Sequence, residues 1–114
     1  MIPESEILTS EQVQLALKRI LMSRMFVKST RLSQFLQFAV EHALQGKAGE
    51  LKEYTIATEV YDRNANFDPT VDTIVRSEAR RLRKKLKEYY DTEGQAEVVV
   101  IAFLPGSYLG ARQK

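Results

Sequence analysis

The sequence predicts a mainly α domain closed by a C-terminal β-hairpin. Three observations carry that expectation. Apolar side chains recur at helical spacing through most of residues 11–90. The run Glu97-Val-Val-Val-Ile-Ala-Phe-Leu104 is β-branched and apolar, and Pro105-Gly106 follows it as turn chemistry. The last helical stretch is also the most basic, with Arg80-Arg81-Leu82-Arg83-Lys84-Lys85 at its centre.

Composition narrows the classes further. At 114 residues, 44% hydrophobic and 28% charged, the chain is one domain able to bury a modest core. It has no cysteine, which excludes disulfides and thiolate metal sites, and a single histidine makes no Cys/His constellation. No apolar run approaches the roughly 18 residues of a spanning helix, and no charged-then-apolar leader opens the chain. A soluble cytoplasmic protein with no membrane contact is expected. The net charge of +2 is too small to indicate a partner, but its distribution is uneven. Between Thr70 and Tyr90 lie seven cations (Arg76, Arg80, Arg81, Arg83, Lys84, Lys85, Lys87) against three acids (Asp72, Glu78, Glu88).

Residues 1–8 are short and acidic, contain Pro3, and are expected to be a flexible N-terminus. The domain proper is placed at 9–112. Thr9 and Ser10 compete as N-cap of a helix from Glu11 to about Met22, Thr9 with Gln12 fitting a capping box, and Val13, Leu15, Leu17, Ile20 and Leu21 are its apolar stripe. Ser29 or Thr30 opens a second helix ending near Gly46, in which Leu32, Phe35, Leu36, Ala39, Val40 and Ala43 keep helical spacing. After a Gly46–Gly49 turn, Glu50 to Tyr61 predicts a third helix, and 62–67 a polar loop with Phe67 plugged into the core. Ser107-Tyr108-Leu109 is the expected second strand of the hairpin.

The basic helix is predicted over Asp68–Tyr90. Asp68 stands as N-cap candidate and Pro69 at the first helical position, where a missing N–H costs nothing. Val71, Ile74, Val75, Ala79, Leu82, Leu86 and Tyr89 form one apolar stripe, and Thr73, Arg76, Ser77, Arg80, Lys84 and Lys87 fall opposite it. Glu78 falls within the stripe and needs a partner, with Arg81 or a cation from the N-terminal helices as candidates. Tyr89 is expected to close the core and Tyr90 to lie at an interface or on the surface.

A helix pair whose second member is exposed and basic, followed by a two-stranded hairpin, is the layout of a winged helix-turn-helix. Thr70-Val71-Asp72, Arg81-Leu82-Arg83-Lys84-Lys85-Leu86 and Leu104-Pro105-Gly106-Ser107-Tyr108 resemble the OmpR/PhoB-type winged-helix effector domain. The chain is also similar to winged-helix-like N-terminal modules of bacterial signalling proteins, in which a Phe-Asp-Pro start precedes a similar helix. The likeness covers about Leu51 to Leu109. It departs in two places. Asp72 to Leu82 holds about one extra helical turn, and the 104–107 turn carries no cation, the nearest being Arg112 and Lys114.

The resemblance and the charge pattern imply sequence-specific binding of double-stranded DNA by a transcriptional regulator, with the basic helix in the major groove and 97–110 as the wing. Thr70, Thr73, Arg76, Ser77 and Arg80 are the expected base-side contacts, Arg76 and Arg80 being suited to guanine O6/N7. Arg83, Lys84 and Lys87 lie later and suit phosphates. Because one helix offers few base contacts, a homodimer or multimer on DNA is expected. The alternative is a winged helix docking an acidic protein partner, within a larger parent protein. A solvated surface face is the plainer alternative for the cations themselves. An enzyme is not expected, since there is no nucleophile elbow, glycine-rich phosphate loop or paired carboxylate. No cofactor or metal is expected either: Asp62-x-Asn64-x-Asn66 imitates a calcium loop, but Phe67 and Thr73 stand where Gly and Glu are needed. His42 is expected to be a surface or half-buried residue.

Overall fold

The structure, a computed structural model, describes residues 8–47, 49, 51–102 and the backbone of 110–113. It is mainly helical with a short C-terminal β-ladder. The elements are α1 (Ser10–Met22), α2 (Thr30–Leu44), α3 (Glu53–Glu59), α4 (Ile74–Asp91), β1 (Val99–Ala102) and β2 (Gly110–Gln113).

Each helix forms for a visible reason. The Thr9 hydroxyl accepts the Gln12 N–H at 3.1 Å, and the Gln12 side chain accepts the Thr9 N–H at 2.8 Å, closing the capping box that starts α1. The α2 stripe of Leu32, Phe35, Leu36, Ala39 and Val40 is buried. On α4, Val75, Ala79, Leu82, Leu86 and Tyr89 are at most 3% exposed, so this helix presents a dry face to the other elements. The three faces meet in one core with Ile20, Phe26, Phe35, Ile56 and Ile101 at its centre. Tyr89 does close it, edge-on to Phe26 at 6.3 Å.

β1 packs between α1 and α4, which is why Val99, Val100 and Ile101 are all buried rather than alternating. It pairs antiparallel with β2, Val99 opposite Gln113 and Ala102 opposite Gly110. An Arg19–Glu97 ion pair of 3.0 Å ties α1 to the residue just ahead of the strand. Tyr90, expected at an interface or on the surface, lies between α4 and β1. It is half-buried, and its hydroxyl accepts the Ile101 N–H at 2.8 Å. Burial pushes that hydroxyl's pKa up to about 12.

Among the described residues the second strand is Gly110–Gln113. The expected Pro105-Gly106 turn and Ser107–Leu109 strand lie outside the described residues, as do residues 1–7. Leu8, assigned to the flexible N-terminus, is half-buried against the core. α3 is shorter than the expected Glu50–Tyr61. Asp62 takes the left-handed backbone, φ 57°, and the Arg63 N–H turns back to the Ala57 carbonyl at 3.0 Å, which ends the helix early.

The end of α4 is fixed by a close approach. The Gly94 N–H donates to the Tyr89 carbonyl at 2.7 Å, which brings Gly94 against the Tyr89 ring. A Cβ on Gly94 would stand 2.4 Å from Tyr89 Cε2, whereas one on Gly49 would meet nothing within 4 Å. Gly94→Ala should therefore lower unfolding stability by about 1–3 kcal/mol through overpacking, while Gly49→Ala stays within about 0.5 kcal/mol. Urea denaturation of both variants measures this, and equal midpoints would contradict it.

Candidate nucleic-acid interface

The basic helix begins later than Asp68. Residues 68–71 form a separate turn, in which the Asp68 carbonyl accepts the N–H groups of Val71 (3.0 Å) and Asp72 (2.8 Å). The Asp68 side chain folds over it, accepting the Thr70 N–H at 2.9 Å and the Thr70 hydroxyl at 2.7 Å. Asp72 then supplies a second start. Its Oδ1 accepts the Ile74 N–H at 3.0 Å and its Oδ2 accepts Arg63 Nε at 2.6 Å. α4 follows at Ile74 with Thr73 as its N-cap residue.

This break corrects the expected stripe. Val71 is 81% exposed instead of buried, because its turn does not continue the axis of α4. Thr70 and Thr73 are exposed but lie ahead of the helix. Two successive Asx caps, Asp68 and Asp72, are the sequence signal of such a broken start. Phe67 is half-buried against the core, as expected.

Within α4 the seven cations divide by what holds them. Arg76 reaches back, with Nε 3.5 Å from the Glu53 carboxylate of α3 and its guanidinium hydrogen-bonded to the Pro69 carbonyl. It staples the 68–71 turn to both helices, a role that its place among the expected base-side contacts did not include. Arg81 is 3.3 Å from Glu78, the partner that this nearly buried carboxylate needs. Burial, and then the Glu78 charge, push the nearby Tyr61 hydroxyl well above its ordinary pKa. Lys85 donates to the Met25 carbonyl at 3.0 Å and stands 5.7 Å from the Phe26 ring centroid. Glu93 holds the same connector by accepting the Arg24 and Met25 N–H groups at 3.0 Å each.

The remaining four, Arg80, Arg83, Lys84 and Lys87, are exposed and make no ion pair or hydrogen bond among the described residues. They stand at i, i+3, i+4 and i+7, a single surface row about 10 Å long. Ser77 extends the row toward the N-terminus, its hydroxyl 3.4 Å from that of Thr73. Arg83 and Lys87 also rim a shallow groove floored by Leu86, Val100 and Ala102, between α4 and β1. Of the eight residues singled out from sequence, the structure thus gathers Ser77, Arg80, Arg83, Lys84 and Lys87 on one open face. It places Thr70 and Thr73 just ahead of that face and commits Arg76 to an internal contact.

Other candidates resolve structurally. His42 is half-buried, its Nδ1 3.0 Å from the Phe38 carbonyl and its ring 4.0 Å from that of Phe38. In the 62–66 loop, Asp62 pairs with Arg31 at 2.7 Å, and Asn64 accepts the Asn66 N–H at 2.9 Å. Among the described residues no group of three acids or histidines is placed to hold a metal ion, and no helix is long and apolar enough to cross a membrane. Comparison with family models, curated proteins and solved structures finds no match to this chain.

Asp72 gives a pH-dependent check on the broken helix start. The Arg63 hydrogen bond, followed by that from the Ile74 N–H, holds its carboxyl below the usual range. A lowered native pKa contributes stability that is complete above the unfolded value of about 4 and is lost as pH falls through the native one. Asp72→Asn should therefore be less stable than the parent at pH 7, and the difference should shrink as pH falls below about 4. Thermal melts across pH measure it, and a gap that ignores pH would contradict this role for the carboxylate.

Proposed function

We propose that the chain is a winged helix-turn-helix domain that binds duplex DNA, with α4 along the major groove and the β1–β2 hairpin beside it. The single observation that carries this reading is the row Arg80, Arg83, Lys84 and Lys87, unpaired among the described residues. Four cations held on one rigid helix, with their neighbours Arg81 and Lys85 drawn off into internal contacts, form a one-sided cationic ridge. A major groove about 12 Å wide admits a helix of this kind, and phosphates on either side meet cations spaced along it. Arg80, with Ser77, Thr73 and Thr70 toward the N-terminus, faces base edges. Arg83, Lys84 and Lys87 take phosphates and set affinity. The protein acts as a transcriptional regulator, or as the DNA-binding module of a larger one, in the cytoplasm. Two or more copies on repeated half-sites supply the base contacts that one helix lacks.

Fluorescence anisotropy with labelled duplexes at several salt concentrations tests this. Alanine at Arg83, Lys84 or Lys87 should weaken binding across sequences and reduce the log–log salt slope by about 0.9 for each phosphate no longer neutralised. Lys85→Ala should leave the slope unchanged, because its ammonium is already engaged by the Met25 carbonyl. Equal slopes for all four variants would contradict the assignment. No binding even at low salt would overturn the DNA reading and leave an acidic protein surface as the partner of this face.

A further inference from the structure

The 68–71 turn is pinned at every corner. The Asp68 side chain holds Thr70, the Asp68 carbonyl holds the N–H groups of Val71 and Asp72, Arg76 holds the Pro69 carbonyl, and Asp72 is itself held by Arg63. The one large apolar side chain on this rigid platform points away from the core. At 81%, Val71 is the most exposed of the large hydrophobic residues described, and it stands three residues ahead of α4. A lone exposed valine is ordinary on a flexible surface. Here it sits at the N-terminal end of a helix whose open face is cationic, between the exposed Thr70 and Thr73 in sequence.

Resting on the DNA reading above, we propose that Val71 is a specificity-determining residue that packs on the C5-methyl of a thymine in the bound site. The thymine methyl is the apolar feature of the major-groove code, and a small branched side chain fits against it. Charge complementarity brings the groove to α4, and a preformed turn needs no ordering when Val71 meets its base. Arg83, Lys84 and Lys87 supply attraction without sequence information, and Val71 adds to the base contacts of Arg80 a choice of thymine over cytosine or uracil at one position of each half-site.

The test begins with selection of bound duplexes from a randomised pool about two helical turns long, using the parent and Val71→Ala. Each thymine of the parent's preferred duplex is then replaced in turn by uracil, which removes only the methyl. The parent should select a thymine at a position where Val71→Ala shows no preference. Uracil there should weaken the parent by about four-fold, the worth of one buried methyl-sized group, and leave Val71→Ala unaffected. Removing a side chain this exposed should not change the thermal melt, which serves as the folding control. Uracil effects equal in the two proteins, or a thymine preference retained by Val71→Ala, would overturn the proposal while leaving DNA binding intact. Failure to enrich any sequence despite binding would overturn the proposal together with the base-reading role of Arg80, and leave charge-driven DNA binding intact. Absence of binding would overturn the DNA reading and this one with it.

Discussion

Burial of one stripe of α4 is the constraint on which the rest of the molecule depends. Val75, Ala79, Leu82, Leu86 and Tyr89 are closed off from water by the elements packed around them, among them α2, α3 and β1. Placing those five inward leaves the other side of the helix no choice but solvent, and that side is where the exposed cations Arg80, Arg83, Lys84 and Lys87 stand. Residues that could have blurred this division are absorbed locally. Glu78 is matched by Arg81, and the Lys85 stem lies along Phe26 with its head on a carbonyl. The core and the cationic ridge are two consequences of a single periodicity.

Around that helix, polar contacts act mainly to fix the chain where it enters and leaves. At entry, Asp68, Asp72, Arg63 and Arg76 lock a turn and a helix start in succession. At exit, Gly94 lies against the Tyr89 ring, Glu93 reaches across to the connector after α1, and Tyr90 holds the Ile101 N–H of β1. Both ends of the proposed interface are therefore set by the protein before any partner arrives. Rigid positioning of this kind favours recognition by shape and charge over folding on contact.

Much of this is legible in the sequence, because periodicity reports burial directly. The α2 stripe, the α4 stripe from Val75 to Tyr89, the Thr9–Gln12 capping box and the need of Glu78 for a cation follow from spacing and chemistry, while the choice of Arg81 among its candidates does not. The failures share a physical cause, which is that local signals do not reveal where the chain changes direction. Asp68-Pro69 opens a turn as readily as a helix, and although Asp72 is a second candidate cap in sequence, its meeting with Arg63 and Ile74 in three dimensions is what selects it as the start of α4. Val71 falls outside its expected stripe for that reason alone. Arg76 is indistinguishable from Arg80 in sequence because its Glu53 partner lies 23 positions away, on another helix. Separation along the chain likewise hides the bond from the Ile101 N–H to Tyr90, which holds β1 to α4.

The central claim is that the outward face of α4 is the surface that meets duplex DNA. Titrating isotopically labelled protein with an unlabelled duplex, and following backbone amide shifts residue by residue, tests it most directly. The account predicts shifts concentrated between Thr70 and Lys87, with the outer surfaces of α1 and α2 unmoved. Shifts centred on the outer face of α1 or α2, with 70–87 quiet, would contradict it.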